Sequence, residues 1–176
     1  MKAILAAILL LVVGIASADI VRISDFYKDA KVGQWILMKS SDGLETETSV
    51  TAKGDGKITL RIRSYKVKRQ ISDSEQVVDA LAGKVLSIKI FEEGTFKEII
   101  PEDSEIDHFF RLEFKRIAEE KVKVIKGAFK CQKYRAVYHD RVVRAWLNDE
   151  VPILHLVKIA MQGGIVQLVD YGDASV

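Results

Sequence analysis

Ser104-Glu105-Ile106-Asp107-His108-Phe109-Phe110-Arg111-Leu112-Glu113-Phe114-Lys115-Arg116-Ile117-Ala118-Glu119 is the stretch on which the fold class turns. Ile106, Phe109, Phe110, Phe114 and Ile117 recur at spacings of three and four, the period of one apolar helical stripe, with Glu113 the exception within it. Ser104-x-x-Asp107 resembles a capping box, with Asp in place of the usual Glu or Gln. Lys115 and Arg116 lie near the far end, where the helix dipole favours cations. The spacing predicts a helix from about 104 to 119. The alternative is a strand with Phe110, Leu112 and Phe114 turned inward.

On either side of this stretch the period is two. Ile58, Leu60 and Ile62 alternate with Thr59, Arg61 and Arg63, the pattern of a half-buried strand. Strands are also expected over 34–38, 46–52, 85–90 and 95–100, with turns at Ser41-Asp42-Gly43 and Gly54-Asp55-Gly56. Ser24 to Asp29 suits one or two helical turns that end at Gly33. The last third reads as strands over 121–125, 129–138, 142–147, 151–161 and 165–169. Gly163-Gly164 suits a two-residue hairpin turn, which would pair Met161 with Val166 and Ile159 with Leu168. Val157, Ile159, Met161, Val166 and Leu168 then share the buried face, and Lys158, Ala160 and Gln167 the other. The sum is a mainly β chain of α+β type: a curved antiparallel sheet or incomplete barrel, covered by one longer and one short helix.

Met1-Lys2, the apolar run from Ala3 to Ile15 and the small-x-small Ala16-Ser17-Ala18 have the order of a signal peptide cleaved after Ala18. That apolar run of about 13 residues is shorter than the roughly 20 that span a bilayer, so no transmembrane anchor is expected after cleavage. The expected organisation is therefore a leader at 1–18 and one β-rich domain at 19–176, periplasmic or secreted from a bacterium. Loss of Lys2 leaves a nearly neutral chain, because the whole has 27 basic and 25 acidic residues. Nucleic-acid binding is accordingly not expected. The lone Cys131 has no internal partner for a disulfide, so stability must come from the core.

The stock for catalysis is small: three histidines, one cysteine and scattered carboxylates. His108 stands beside Asp107 without a zinc-like spacing, and His139 falls at the tip of a hairpin, Tyr138-His139-Asp140-Arg141. His155 shares the apolar face with Ile153 and Val157 if the strand runs unbroken from Val151, which makes it a core or cavity-wall residue. Cys131 and His139 would stand roughly 26 Å apart on an extended strand, too far for a dyad. Nucleophile elbow, phosphate loop and dinucleotide fingerprint are all missing from the sequence, so neither enzyme activity nor a cofactor or metal is expected. The basic clusters Arg61, Arg63, Lys66, Lys68, Arg69 and Lys121, Lys123, Lys126, Lys130 read first as solvated strand faces. Their second reading is contact with anionic lipid or polysaccharide.

Val32-Gly33-Gln34-Trp35, Gly127-Ala128-Phe129-Lys130-Cys131, Trp146, Val151-Pro152, Leu156-Val157-Lys158 and Leu168-Val169-Asp170-Tyr171-Gly172 occur in that order. This order resembles a group of small exported bacterial proteins whose fold is similar to the periplasmic carriers of outer-membrane lipoproteins. Where the resembling pattern has glycine after Val151-Pro152, this chain has His155. The resemblance implies an incomplete barrel with helices over a hydrophobic cavity. Ile106, Phe109, Phe110, Phe114, Ile117, His155, Val157, Ile159 and Met161 are the candidate lining residues. The expected function is non-enzymatic binding of an acyl chain, a lipid or a lipoprotein. The alternative is an envelope protein that acts by protein contact with a filled core.

Overall fold

Alternation becomes strand after strand in the computed structural model of the chain, which describes residues 20–92, 94–101 and 112–174. Twelve strands occur among these residues: β1 (Ile20–Val21), β2 (Gln34–Ser40), β3 (Glu45–Gly54), β4 (Lys57–Lys66), β5 (Arg69–Asp79), β6 (Val85–Glu92), β7 (Thr95–Ile99), β8 (Phe114–Lys123), β9 (Ala128–Tyr138), β10 (Arg141–Leu147), β11 (Leu156–Met161) and β12 (Gly164–Asp173). They form one antiparallel sheet in the order β1-β8-β9-β10-β11-β12-β2-β3-β4-β5-β6-β7. Two meanders, β2 to β7 and β8 to β12, are thus sewn together where β12 pairs with β2. Leu168 stands opposite Met38 at that seam, and both are buried.

The sheet curls on itself. β8 and β12 are four ladder positions apart, about 19 Å in a flat sheet. Nevertheless the Lys126 N–H, in the β8–β9 turn, donates to the Leu168 carbonyl of β12 at 3.3 Å, and the Phe129 and Tyr171 rings lie 6.4 Å apart. Curling turns one face into an interior filled by Ile36, Val50, Ile58, Val78, Val143, Val157 and Leu168 with their neighbours. Full burial of each such side chain contributes about 1.5–3 kcal/mol.

The expected helical cover is not found, and the α+β fold class gives way to a nearly all-β one. Helix among the described residues is limited to a single 3-10 turn, Ile23–Phe26, while 114–119 belong to strand β8. Ile106, His108, Phe109 and Phe110 lie outside the described residues, as do the leader and its cleavage point. Phe114 and Ile117, three residues apart, do not share a face. A β-bulge between Arg116 and Ala118 makes Ile117 an extra residue opposite β9, half exposed where Phe114 is buried.

Two further expectations shift. The β11–β12 turn is Gln162-Gly163, with Met161 opposite Gly164 and Ile159 opposite Val166. Positive φ falls on Gly163, at 100°, and moving the loop by one residue moves each partner by two, which keeps every side chain on its expected face. The strand expected from Val151 begins only at Leu156, because Ile153 (φ 68°) and His155 (φ 55°) occupy the left-handed region and break the extended chain.

Candidate functional site

Three hairpin ends meet at one end of the curled sheet: the β2–β3 turn, the β9–β10 turn and the β11–β12 turn. His139 (φ 44°) and Asp140 (φ 60°) form the β9–β10 turn, so the expected hairpin tip is observed. The Ser41 N–H donates to the Ile165 carbonyl at 2.8 Å and ties the first turn to the third. Three open clefts share Met161 at this end. One of about 420 Å³ is lined by Ser40, Ser41, Ile159, Met161 and Val166; one of about 360 Å³ by Tyr138, His139, Arg141, Val143 and Met161; and one of about 320 Å³ by Arg141, Val142, Arg144, Ala160 and Met161.

The structure brings Ile159 and Met161 together here, with Val157 fully buried one step further along β11. Met161 is not in the core as the hairpin reading expected: it is 38% exposed, because its partner is Gly164 at the strand end, which offers no side chain to cover it. Phe114 is buried in the common core, whereas Ile117, the bulge residue, is half exposed and faces no cleft with these residues. His155 sits apart, stacked on Phe26 with ring centroids 4.7 Å apart and with Nδ1 3.4 Å from Asp149 Oδ1. Cys131 is fully buried, and burial pushes its thiol up to about 11, so it is a weak nucleophile at neutral pH.

The opposite face of the sheet is charged, and its organisation escaped sequence reading. Lys133, Trp146, Lys158, Gln167, Lys39 and Glu45 stand directly opposite one another on successive strands from β9 to β3. Directly opposed residues share a face. Trp146 is held between two lysines, each Nζ 5.0 Å from its ring, and its Nε1–H donates to Glu120. That hydrogen bond, then the Lys133 ammonium at 3.1 Å, hold the Glu120 carboxyl below its usual range. Trp35, a second motif residue, lies over Gly172, where an added Cβ would come within 3.1 Å of the indole. The two motif tryptophans are therefore packed in different ways, Trp35 over a glycine and Trp146 against two lysines.

Further along that face, on β2 to β6, charges are paired. Arg61 makes a two-pronged contact with Asp73, at 3.0 and 2.8 Å, and Arg63 bridges Glu47 at 3.3 Å and Asp73 at 3.8 Å. The hydrogen bonds from Arg61 hold the Asp73 carboxyl below its usual range. Lys39 meets Glu45 at 2.7 Å, and Lys89 meets Glu75 at 3.8 Å. The basic cluster Arg61-x-Arg63 is thus consumed by the fold.

No family model matches the chain, and no curated protein does. Among solved structures it is similar to the hypothetical protein CT021 from Chlamydia trachomatis, with a TM-score of 0.69 and 6% identity over 89% of this chain and 95% of that one. It is also similar to part of PNGF-II, with a TM-score of 0.52 and 13% identity over 81% of this chain and 28% of that one. At such identities the likeness is one of fold. Among the described residues no helix is long and apolar enough to cross a membrane.

Proposed function

We propose that the chain is an exported, non-enzymatic binding protein that takes an apolar group, an acyl chain of a lipid or lipoprotein, at the Met161 end of its curled sheet. What supports this reading is the convergence of three clefts on one half-exposed methionine, over a floor of Ile159, Val166 and Val143. Methionine is unbranched and polarizable, and adapts to apolar ligands of differing shape. The largest of the three clefts falls within the usual size range of small-ligand sites, about 300–1,000 Å³. The ligand would lie in an open cleft, with side chains of the sheet alone as its walls, and not under a helix. Ser41, His139 and Arg141 at the rim offer hydrogen-bond donors for a polar head.

The test is uptake of a fluorescent fatty acid by the native protein, together with mass spectrometry of its organic extract. The reading expects saturable uptake and co-purifying lipid. Met161→Asp should abolish uptake while costing little stability, since the side chain is 38% exposed. Repeated absence of both lipid and uptake overturns the reading in favour of a protein-contact module. The continuous packed core supports that second reading.

A further inference from the structure

Beside the Lys133–Glu120 pair, the charged face of β8 to β12 carries a row of cations without acidic partners among the described residues. Lys115, Arg135 and Arg144 stand directly opposite one another on β8, β9 and β10, and Ala160 and Ile165 continue the row on β11 and β12. All three cations are exposed, and among the described residues none has an ion pair. Like charges directly opposed across strands are destabilising, so the fold does not need them there. The next row toward the sheet interior holds Lys158, whose Nζ rests on the Trp146 ring beside the Lys133–Glu120 pair. On the other side of the cation row, Val137 stands opposite Val142, and Val137 is 51% exposed while Ile165 is 42% exposed. The face therefore combines a row of three cations about 10 Å across with apolar side chains at its margins.

We infer that this face docks on an anionic lipid surface. Charge complementarity selects an anionic partner, and the exposed valine and isoleucine select one that can also receive apolar side chains, which a soluble polyanion does not. The face adjoins the Met161 end, since Arg144 and Ala160 line one of its clefts and Ile165 another, but fatty-acid uptake and vesicle binding are separate readouts, so either reading can fail without the other.

Cosedimentation of the protein, as isolated from its host cell, with lipid vesicles tests the inference. Binding is expected to vesicles of equal parts phosphatidylglycerol and phosphatidylcholine at low salt, not to phosphatidylcholine alone, and should fall as ionic strength passes about 0.15 M. Arg135→Gln with Arg144→Gln should weaken it by roughly 20–30-fold, about fivefold for each charge. Lys66→Gln with Lys68→Gln, the same charge loss at the β4–β5 turn, should leave it unchanged. Should the double variant lose its fold by circular dichroism, Arg144→Gln alone should still weaken binding about fivefold. Val137→Ser with Ile165→Ser should lower vesicle binding but not retention on dextran sulfate. The inference is overturned by equal binding to both vesicle types, by equal losses in the two charge variants, by no binding at all, or by dextran sulfate holding the protein as well as vesicles do.

Discussion

Between β2 and β6 the charged face is written in pairs: Lys39 with Glu45, Arg63 with Glu47, Arg61 with Asp73, Lys89 with Glu75. Between β8 and β10 one row of the same face is written in one sign, Lys115 beside Arg135 beside Arg144, next to a row that holds the Lys133–Glu120 pair. The rows connect through Trp146 and Gln167, so the two regions see the same solvent and belong to one sheet. In the first region each of these four cations has a carboxylate directly or diagonally across, and the charges help to set strand register. In the second, the cations oppose each other and leave their attraction for something outside the chain. Composition could not separate these cases, because a near-neutral total conceals both.

The two regions share a core, and breaking the seam should have the largest effect. Leu168 of β12 is fully buried opposite Met38 of β2, where the meanders join. Leu168→Ala should cost about 2–5 kcal/mol in denaturant unfolding, the range for a buried leucine truncated to a cavity. Both regions should still unfold in one transition. Two separated transitions would mean that the meanders are independent units, and the contrast between their faces would then be a contrast between domains.

Next in size is the paired region itself. Asp73 is 5% exposed and receives hydrogen bonds from Arg61, with Arg63 at 3.8 Å. Asp73→Asn keeps the shape but leaves two guanidinium groups without their common anion, and should cost about 1.5–3 kcal/mol at pH 7. The Asp73 carboxyl titrates below its usual value in the folded state, so it binds its proton less readily there than in the unfolded chain. Its contribution is complete above the unfolded value near pH 4 and is lost as pH falls through the folded one. The gap between wild type and variant should therefore close on acidification below about pH 4. A gap independent of pH would show that the arginines act through packing and not through charge.

How much of this was legible in the sequence follows from which residues carry the pattern. β4 announced itself because Ile58, Leu60 and Ile62 alternate with polar residues. β5 was silent, since Gln70-Ile71-Ser72-Asp73-Ser74-Glu75-Gln76 has polar residues on both faces. Its signal was charge at a spacing of two: Asp73 and Glu75 match Arg63 and Arg61 across the ladder. Phe114 and Ile117 look like one helical face in the sequence, but the bulge leaves Ile117 half exposed beside a buried Phe114, and composition does not mark an inserted residue. Of the site, Ile159 and Met161 were legible from the hairpin alternation. The exposure of Met161 was not, because it depends on which residue of Gln162-Gly163-Gly164 takes the positive φ. The cation row was beyond reach, since Lys115, Arg135 and Arg144 are 20 and 9 residues apart and only register brings them together.

The smallest effect should carry the opposite sign. If the row of cations is a cost carried for a partner, giving one of its members an acidic side chain should make the second region resemble the first. Arg144→Glu places a carboxylate directly opposite Arg135 on β9, where a like-charged pair stood before. An opposite-charge pair across strands contributes about 0.2–1 kcal/mol, so the variant should be more stable than wild type by that amount in thermal or denaturant unfolding. Added salt should shrink the gain, because both groups are exposed to solvent. The same change should abolish binding to phosphatidylglycerol vesicles, since it removes one cation and sets an anion at the end of the row, beside Arg135. Stability rising while binding falls is the signature of residues kept for function and against the fold. A variant that is less stable than wild type would mean that Arg144 already has a structural role, and the division of the sheet into a paired and an unpaired region would have to be withdrawn.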